Sequence, residues 1–151
     1  MAGEITIQVS LNIRKVTSGN VSQIEYQSRP AGYTDDMTGA KGPTPGAVDV
    51  SQTGVSLDLA ELTTPGWCRF HNQESDTTRT VNIGIYETDT ARFFPFMMLK
   101  PGHSQVVLLS PELFEELGET GTGTAVVGNA RLHIRARGDY SANILVEAFE
   151  T

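Results

Sequence analysis

Residues 64–109 read TPGWCRFHNQESDTTRTVNIGIYETDTARFFPFMMLKPGHSQVVLL, and this stretch decides the fold. It holds the single Trp, the single Cys, two of the three His and four of the six Phe. Four strands separated by turn signals are predicted in it. Trp67–Asn72 is followed by the polar turn Gln73–Thr78. Thr80–Glu87 sets Val81, Ile83 and Ile85 on one face and Asn82, Gly84 and Tyr86 on the other. After the turn Thr88–Thr90, Arg92–Leu99 is apolar on both faces, with Phe94, Phe96 and Met98 on one and Phe93 and Met97 on the other. Such a strand is buried twice over or offers one face to another subunit. Pro95, which lacks an N–H, points to a sheet edge or a bulge. Lys100–His103 carries Pro and Gly in type II turn order, and Ser104–Leu109 returns as a strand.

Downstream, Ser110–Gly118 reads as the one convincing helix. Ser110 suits the N-cap, Pro111 the first helical position and Gly118 the end, with Leu113, Phe114 and Leu117 on one face. Strands follow at Thr124–Val127, at Ala130–Arg137 with Leu132, Ile134 and Ala136 inward, and at Ala142–Glu150. Upstream, Val48–Val50 and Val55–Leu59 alternate around a turn or bulge at Gly54.

At the N-terminus Ile5, Ile7, Val9, Leu11 and Ile13 alternate with polar residues, which predicts one long strand. Thr17–Asn20 turns it into Val21–Ser28 as a hairpin. Two roles fit the first strand: an outer strand of a sandwich, or an arm that pairs with a neighbouring subunit's sheet edge. Between Pro30 and Ala47 the chain carries four Gly and three Pro in 18 residues, which predicts a long loop. Asp35 and Asp36 lack the alternating oxygens and terminal Glu of a calcium loop, so the segment reads as a solvated loop or, if ordered, as a contact with a neighbouring subunit. Nine or ten short strands at regular spacing give an all-β chain. The expectation is one jelly-roll-like antiparallel β-sandwich domain over residues 1–151, with one short helix and a Gly/Pro-rich loop at 30–47.

Composition narrows the function classes. A chain of 151 residues with 38% hydrophobic and 19% charged residues is globular, and 15 Gly with 7 Pro supply the turns an all-β fold needs. A formal net charge of −7 argues against a nucleic-acid partner and against an anionic membrane surface. One Cys makes no internal disulfide. No apolar run approaches the roughly 18 residues of a membrane helix. The alternating N-terminus does not read as a signal peptide, which leads to an expectation of no export by the general secretion route.

A search for chemistry yields no catalytic set. Cys68 and His71 lie an odd number of positions apart on one predicted strand, so their side chains point to opposite faces. His71, His103 and His133 share no metal-ligand spacing, and the close His pair with a following Glu used by cupin enzymes is missing. Glu112, Glu115 and Glu116 read as a solvated helix surface. Arg131, Arg135 and Arg137 fall on the outward face of one strand, where two readings stand side by side. The row meets a partner's carboxylates, or it is solvated and pairs across strands with Glu147. No phosphate loop and no nucleophile elbow occurs. The expectation is therefore a protein that is not an enzyme and holds no cofactor and no metal.

One resemblance bears on function. A polar turn after Asn72 with Asp76 and Thr77, the alternating Val81 and Ile83, then Phe94 in an aromatic strand closed by Leu99-Lys100-Pro101-Gly102, is similar to small virion proteins of tailed bacteriophages. It covers roughly residues 67–109 and the strand rhythm of the last third. His103 stands where the resemblance leads one to expect Glu or another polar residue. The resemblance implies a β-sandwich or jelly roll that serves as a head decoration or cement protein, or as a neck, collar or tail component. It implies localisation in the virion and partners among virion proteins, the major capsid protein or further copies of the chain. The candidate subunit contacts are Ile5, Ile7, Val9, Leu11, Tyr33, Phe93, Met97, Arg131 and Arg135. Two other classes stand beside it: a carbohydrate-binding module using Trp67, Tyr86 and Tyr33, and a metal-dependent enzyme of the double-sheet class.

Overall fold

The computed structural model describes residues 5–10, 12–17, 21–27, 31–35, 43–59, 61–62, 65–109, 126–127 and 130–150. The chain packs as two compact units, Met1–Met37 and Thr38–Thr151, where the sequence led to one domain. The difference arises because the N-terminal strands pair among themselves.

In the N-terminal unit β1 (Ile5–Val9), β2 (Asn12–Thr17), β3 (Val21–Gln27) and β4 (Ala31–Asp35) form two antiparallel ladders. Thr17 stands opposite Val21 in the β2–β3 ladder, as the hairpin reading required. The pairing then continues past Arg29, with Ile7 opposite Tyr33 in the β1–β4 ladder. Residues 31–35 were expected in the loop, but this piece contains one Gly and no Pro, so nothing in it opposes a ladder. The expected long first strand is interrupted at Ser10, and β1 pairs with β4 rather than joining the sandwich.

The second unit is a jelly roll. One sheet has the order β10 (Ser104–Leu108), β7 (Pro65–Asn72), β13 (Ala142–Glu150), β5 (Thr44–Val50). The other has β11 (Val126–Val127), β12 (Ala130–Ala136), β8 (Val81–Glu87), β9 (Arg92–Leu99), with β6 (Val55–Ser56) also on β12. The chain crosses between the sheets after β5, β6, β7, β9, β10 and β12, and every pairing is antiparallel. Thr44–Ala47 extends β5 into the expected loop. An edge strand bonded only to β13 tolerates Pro45, and Gly46 takes the positive φ of 86° there. The expected helix at Ser110–Gly118 lies outside the described residues.

Alternation explains the core. Cys68, Phe70, Ile144, Val146 and Ala148 point inward from one sheet, and Val81, Ile83, Leu99, Leu132 and Ile134 from the other, all fully buried. Asn72 is equally buried, and every hydrogen-bonding atom of its amide is used in pinning the turn that follows it. That turn is tied down further by Arg79, which reaches Glu74, Asp76 and the Ser141 carbonyl.

β9 departs from strict alternation. Ile83 faces Met97 but Gly84 faces Pro95, so Phe96 is the extra residue of a bulge. The bulge reverses parity between its two sides. Phe93 and Met97, read from the sequence as sharing a face, are split: Met97 packs on the core, and Phe93 turns to the outer face against His133.

Candidate functional site

Three cross-strand rows build the outer face of the second sheet. Met98, Asn82 and Arg135 form one row, Pro95, Gly84 and His133 the next, and Phe93, Tyr86 and Arg131 the third. The middle row is closed. His133 is only 5% exposed although it points outward, because the segment Ser51–Ser56 folds over it. Its Nε2 lies 3.3 Å from the Thr53 carbonyl and its Nδ1 3.2 Å from Ser56 Oγ. A carbonyl only accepts, so Nε2 carries the proton and Nδ1 accepts from the Ser56 hydroxyl. The ring stacks on Tyr86 at 4.8 Å and meets Phe93 edge-on at 5.7 Å. Burial is the chief reason the imidazole pKa is lowered; the Thr53 contact opposes this and the charge of Arg135 adds to it.

The flanking rows are open. Arg135 donates through Nε to the Gln52 carbonyl at 2.5 Å, and Arg137 lays Nη1 at 3.4 Å from Met98 Sδ. Among the described residues no carboxylate pairs with Arg131, Arg135 or Arg137. Glu147, the cross-strand partner considered from sequence, lies in the other sheet and pairs with Arg69 at 2.7 Å. Two depressions adjoin on this face. One, of about 230 Å³, is lined by Gln52, Asn82, Phe93, Arg135 and Arg137. The other, of about 370 Å³, is lined by Pro95, Phe96, Met97 and Met98 and shares Asn82 and Arg137 with the first. The edge strand exposes Phe96 by 56% and Met98 by 44% beside them, and Phe94 by 52% on its other face, opposite Ile85. No described strand hydrogen-bonds to the free edge of β9.

Of the sequence-derived contacts, Phe93, Arg131 and Arg135 meet on this one face. Met97 leaves it for the core. Ile5, Ile7 and Val9 belong to the other unit, where Val9 is the most exposed at 63% and Tyr33 stands opposite Ile7. Leu11 lies outside the described residues. The alternation rule missed Asn82, Gln52 and the proximity of Arg137 to Met98. The signal available in sequence was the coincidence of a Pro-interrupted aromatic strand with an Arg row.

The remaining reactive side chains are dispersed. Cys68 is buried on the inner face of β7, and burial together with the charge of Glu147 pushes its thiol up to about 12. His71 lies half-exposed on the opposite face, as the odd spacing requires. There its Nδ1 sits 2.9 Å from Ser104 Oγ, a pairing the sequence did not disclose. The same Nδ1 also faces the His103 carbonyl at 3.3 Å, while the neighbouring Glu147 is engaged by Arg69. Among the described residues no carboxylate orients His71 as the base of a nucleophilic Ser. Trp67 and Tyr86 point out from opposite sheets and form no common sugar platform. Among the described residues no group of three or more His, Cys, Asp and Glu converges. No family model matches the chain, and neither a curated protein nor a solved structure matches it.

Proposed function

We propose that the chain is a non-enzymatic structural subunit of a tailed-phage virion, a decoration or cement protein that binds other capsid subunits. Neck, collar and tail positions are variants of the same role. The observation that carries the assembly reading is the edge strand β9, which exposes Phe96 and Met98 and, opposite Ile85 on the other face, Phe94. An uncovered apolar row on a strand edge is a liability for a free monomer and a docking surface for an assembled one. Phe, Met and Arg are the residue types enriched at protein interfaces, and they dominate this face. The jelly roll is a fold shared by viral capsid proteins, lectins and cupins, so the fold supports the virion role by analogy alone. The assignment to tailed phages rests on the resemblance of residues 67–109.

The test is immunogold electron microscopy of tailed-phage particles from the source of the chain, with antibody to this protein. Regular label on head, neck or tail is the expected result. Unlabelled particles, with the protein free in the lysate, overturn the virion assignment. Incorporation of a Phe94→Asp/Phe96→Asp variant tests the surface itself: a folded variant that still joins particles removes β9 from the contact.

A further inference from the structure

We propose that the paired depressions on the outer face of the second sheet form a carboxylate-and-apolar clamp for an extended acidic segment of a partner protein. This deepens the assembly reading and rests on it. Arg135 and Arg137 are two positions apart on one edge of the face, roughly 7 Å from Cα to Cα at strand spacing. Arg135 is oriented by its bond to the Gln52 carbonyl, and Arg137 is laid against Met98. Both guanidiniums keep donors free, and the half-buried Asn82 carboxamide between them makes no hydrogen bond among the described residues. The remaining donors, with no carboxylate partner among the described residues, suit a carboxylate, which accepts two parallel N–H bonds from a guanidinium. The adjoining groove sets Pro95, Phe96 and Met98 beside Asn82 and Arg137, and its apolar wall suits the next side chain of the same segment.

The charge pattern selects the partner. The chain carries −7 overall, yet this face displays arginines and no described carboxylate. At physiological ionic strength charges are screened within about 8 Å, so the local arginines rather than the net charge decide what docks. A two-fold contact between copies through this face would set one arginine row against the other, and like charges in register oppose such a contact. The occupant is thus a different protein, with an acidic residue beside an aromatic or aliphatic one.

The probe is a synthetic blocked peptide of alternating Asp and Phe, titrated into the isotope-labelled full chain and followed by NMR. Saturable shifts are expected at the Asn82 side-chain amide and at the Nε–H of Arg135 and Arg137, weakening with added salt. An otherwise identical peptide with Lys for Asp is expected to leave them unmoved. An Arg135→Gln/Arg137→Gln variant that melts like the parent is expected to bind the acidic peptide roughly tenfold more weakly or worse. Equal binding of both peptides, shifts confined to other surfaces, or unchanged affinity in the folded variant overturns the clamp. If the clamp fails while Phe94→Asp/Phe96→Asp still blocks incorporation, the assembly reading stands and only the chemistry of its partner is wrong.

Discussion

Asn72 donates through Nδ2 to the carbonyl of Leu99 at 3.3 Å, a hydrogen bond that runs from β7 in one sheet to the end of β9 in the other. The same Nδ2 serves the Arg79 carbonyl at 2.9 Å, and Oδ1 accepts the Glu74 N–H at 3.1 Å. On the main chain, Asn72 bonds to His103 and Gly102. One buried carboxamide therefore fixes two turns and both layers of the sandwich.

Asn72→Ala leaves the Leu99 and Arg79 carbonyls and the Glu74 N–H without their partner. Each such group in a dry site costs about 1–3 kcal/mol when it finds no replacement, and partial rehydration lowers the sum. The expected loss is about 2–4 kcal/mol, read as a lower urea midpoint at unchanged slope. A change below about 0.5 kcal/mol would show that water replaces the amide at no cost.

His133 gives stability a pH dependence of defined sign. Its folded pKa lies below the ordinary value of 6.5, so the folded state resists the proton that the unfolded chain accepts. Stability from this site is full above pH 6.5 and declines as pH falls from there towards the folded pKa. His133→Gln should flatten that part of the profile, leaving the acid limb set by carboxylates. Gly54 has φ of 82°, and a Cβ on it would stand 2.2 Å from His133 Nε2. Gly54→Ala should therefore displace the covering segment, and the His133 titration seen by NMR should move up towards 6.5.

Cys68 should be inert in the folded protein. A thiol pushed up to about 12 is almost wholly protonated at neutral pH, and the thiolate is the reactive form. Labelling by a thiol-specific reagent should be negligible in buffer and complete in denaturant. Fast native labelling at pH 8 would mean that β7 separates from the core far more readily than its burial implies.

Gly84 is the seat of the bulge. A Cβ there would meet the Phe94 carbonyl oxygen at 2.3 Å and Pro95 Cα at 2.7 Å, both main-chain atoms held by the ladder. Gly84→Ala must push β9 away from β8, at an expected loss of roughly 2–3 kcal/mol or more. Hydrogen exchange should accelerate first in Arg92–Leu99. Unchanged exchange in that strand would mean that β9 adjusts without leaving the sheet.

Period-two alternation made the sandwich readable from Trp67 to Asn72, from Val81 to Glu87 and from Ala142 to Glu150, because one face of each strand is core. It failed where the constraint is not burial. Ala31–Asp35 is a strand through pairing with Ile5–Val9, a partner no local pattern announces. Thr44–Ala47 is a strand because a sheet edge forgives Pro and Gly. At the candidate site the arginine row was legible from its spacing. The closure of His133 was not, since the segment that covers it lies some 80 positions away in sequence. Nor was the parity change at Phe96, since a bulge is a property of two strands at once.

The strand order has a consequence for how the chain comes to be folded. β13 lies between β5 and β7, so neither has that neighbour until residues 142–150 exist. β12 likewise stands between β6 and β8. During synthesis the earlier strands emerge as pieces of sheets whose central members are still unmade. Acquisition of structure should thus be late and abrupt, with the slow kinetics of long-range pairings. Nascent chains arrested before residue 142 should remain protease-sensitive along β5 and β7, and those edges are the ones a chaperone would have to shield.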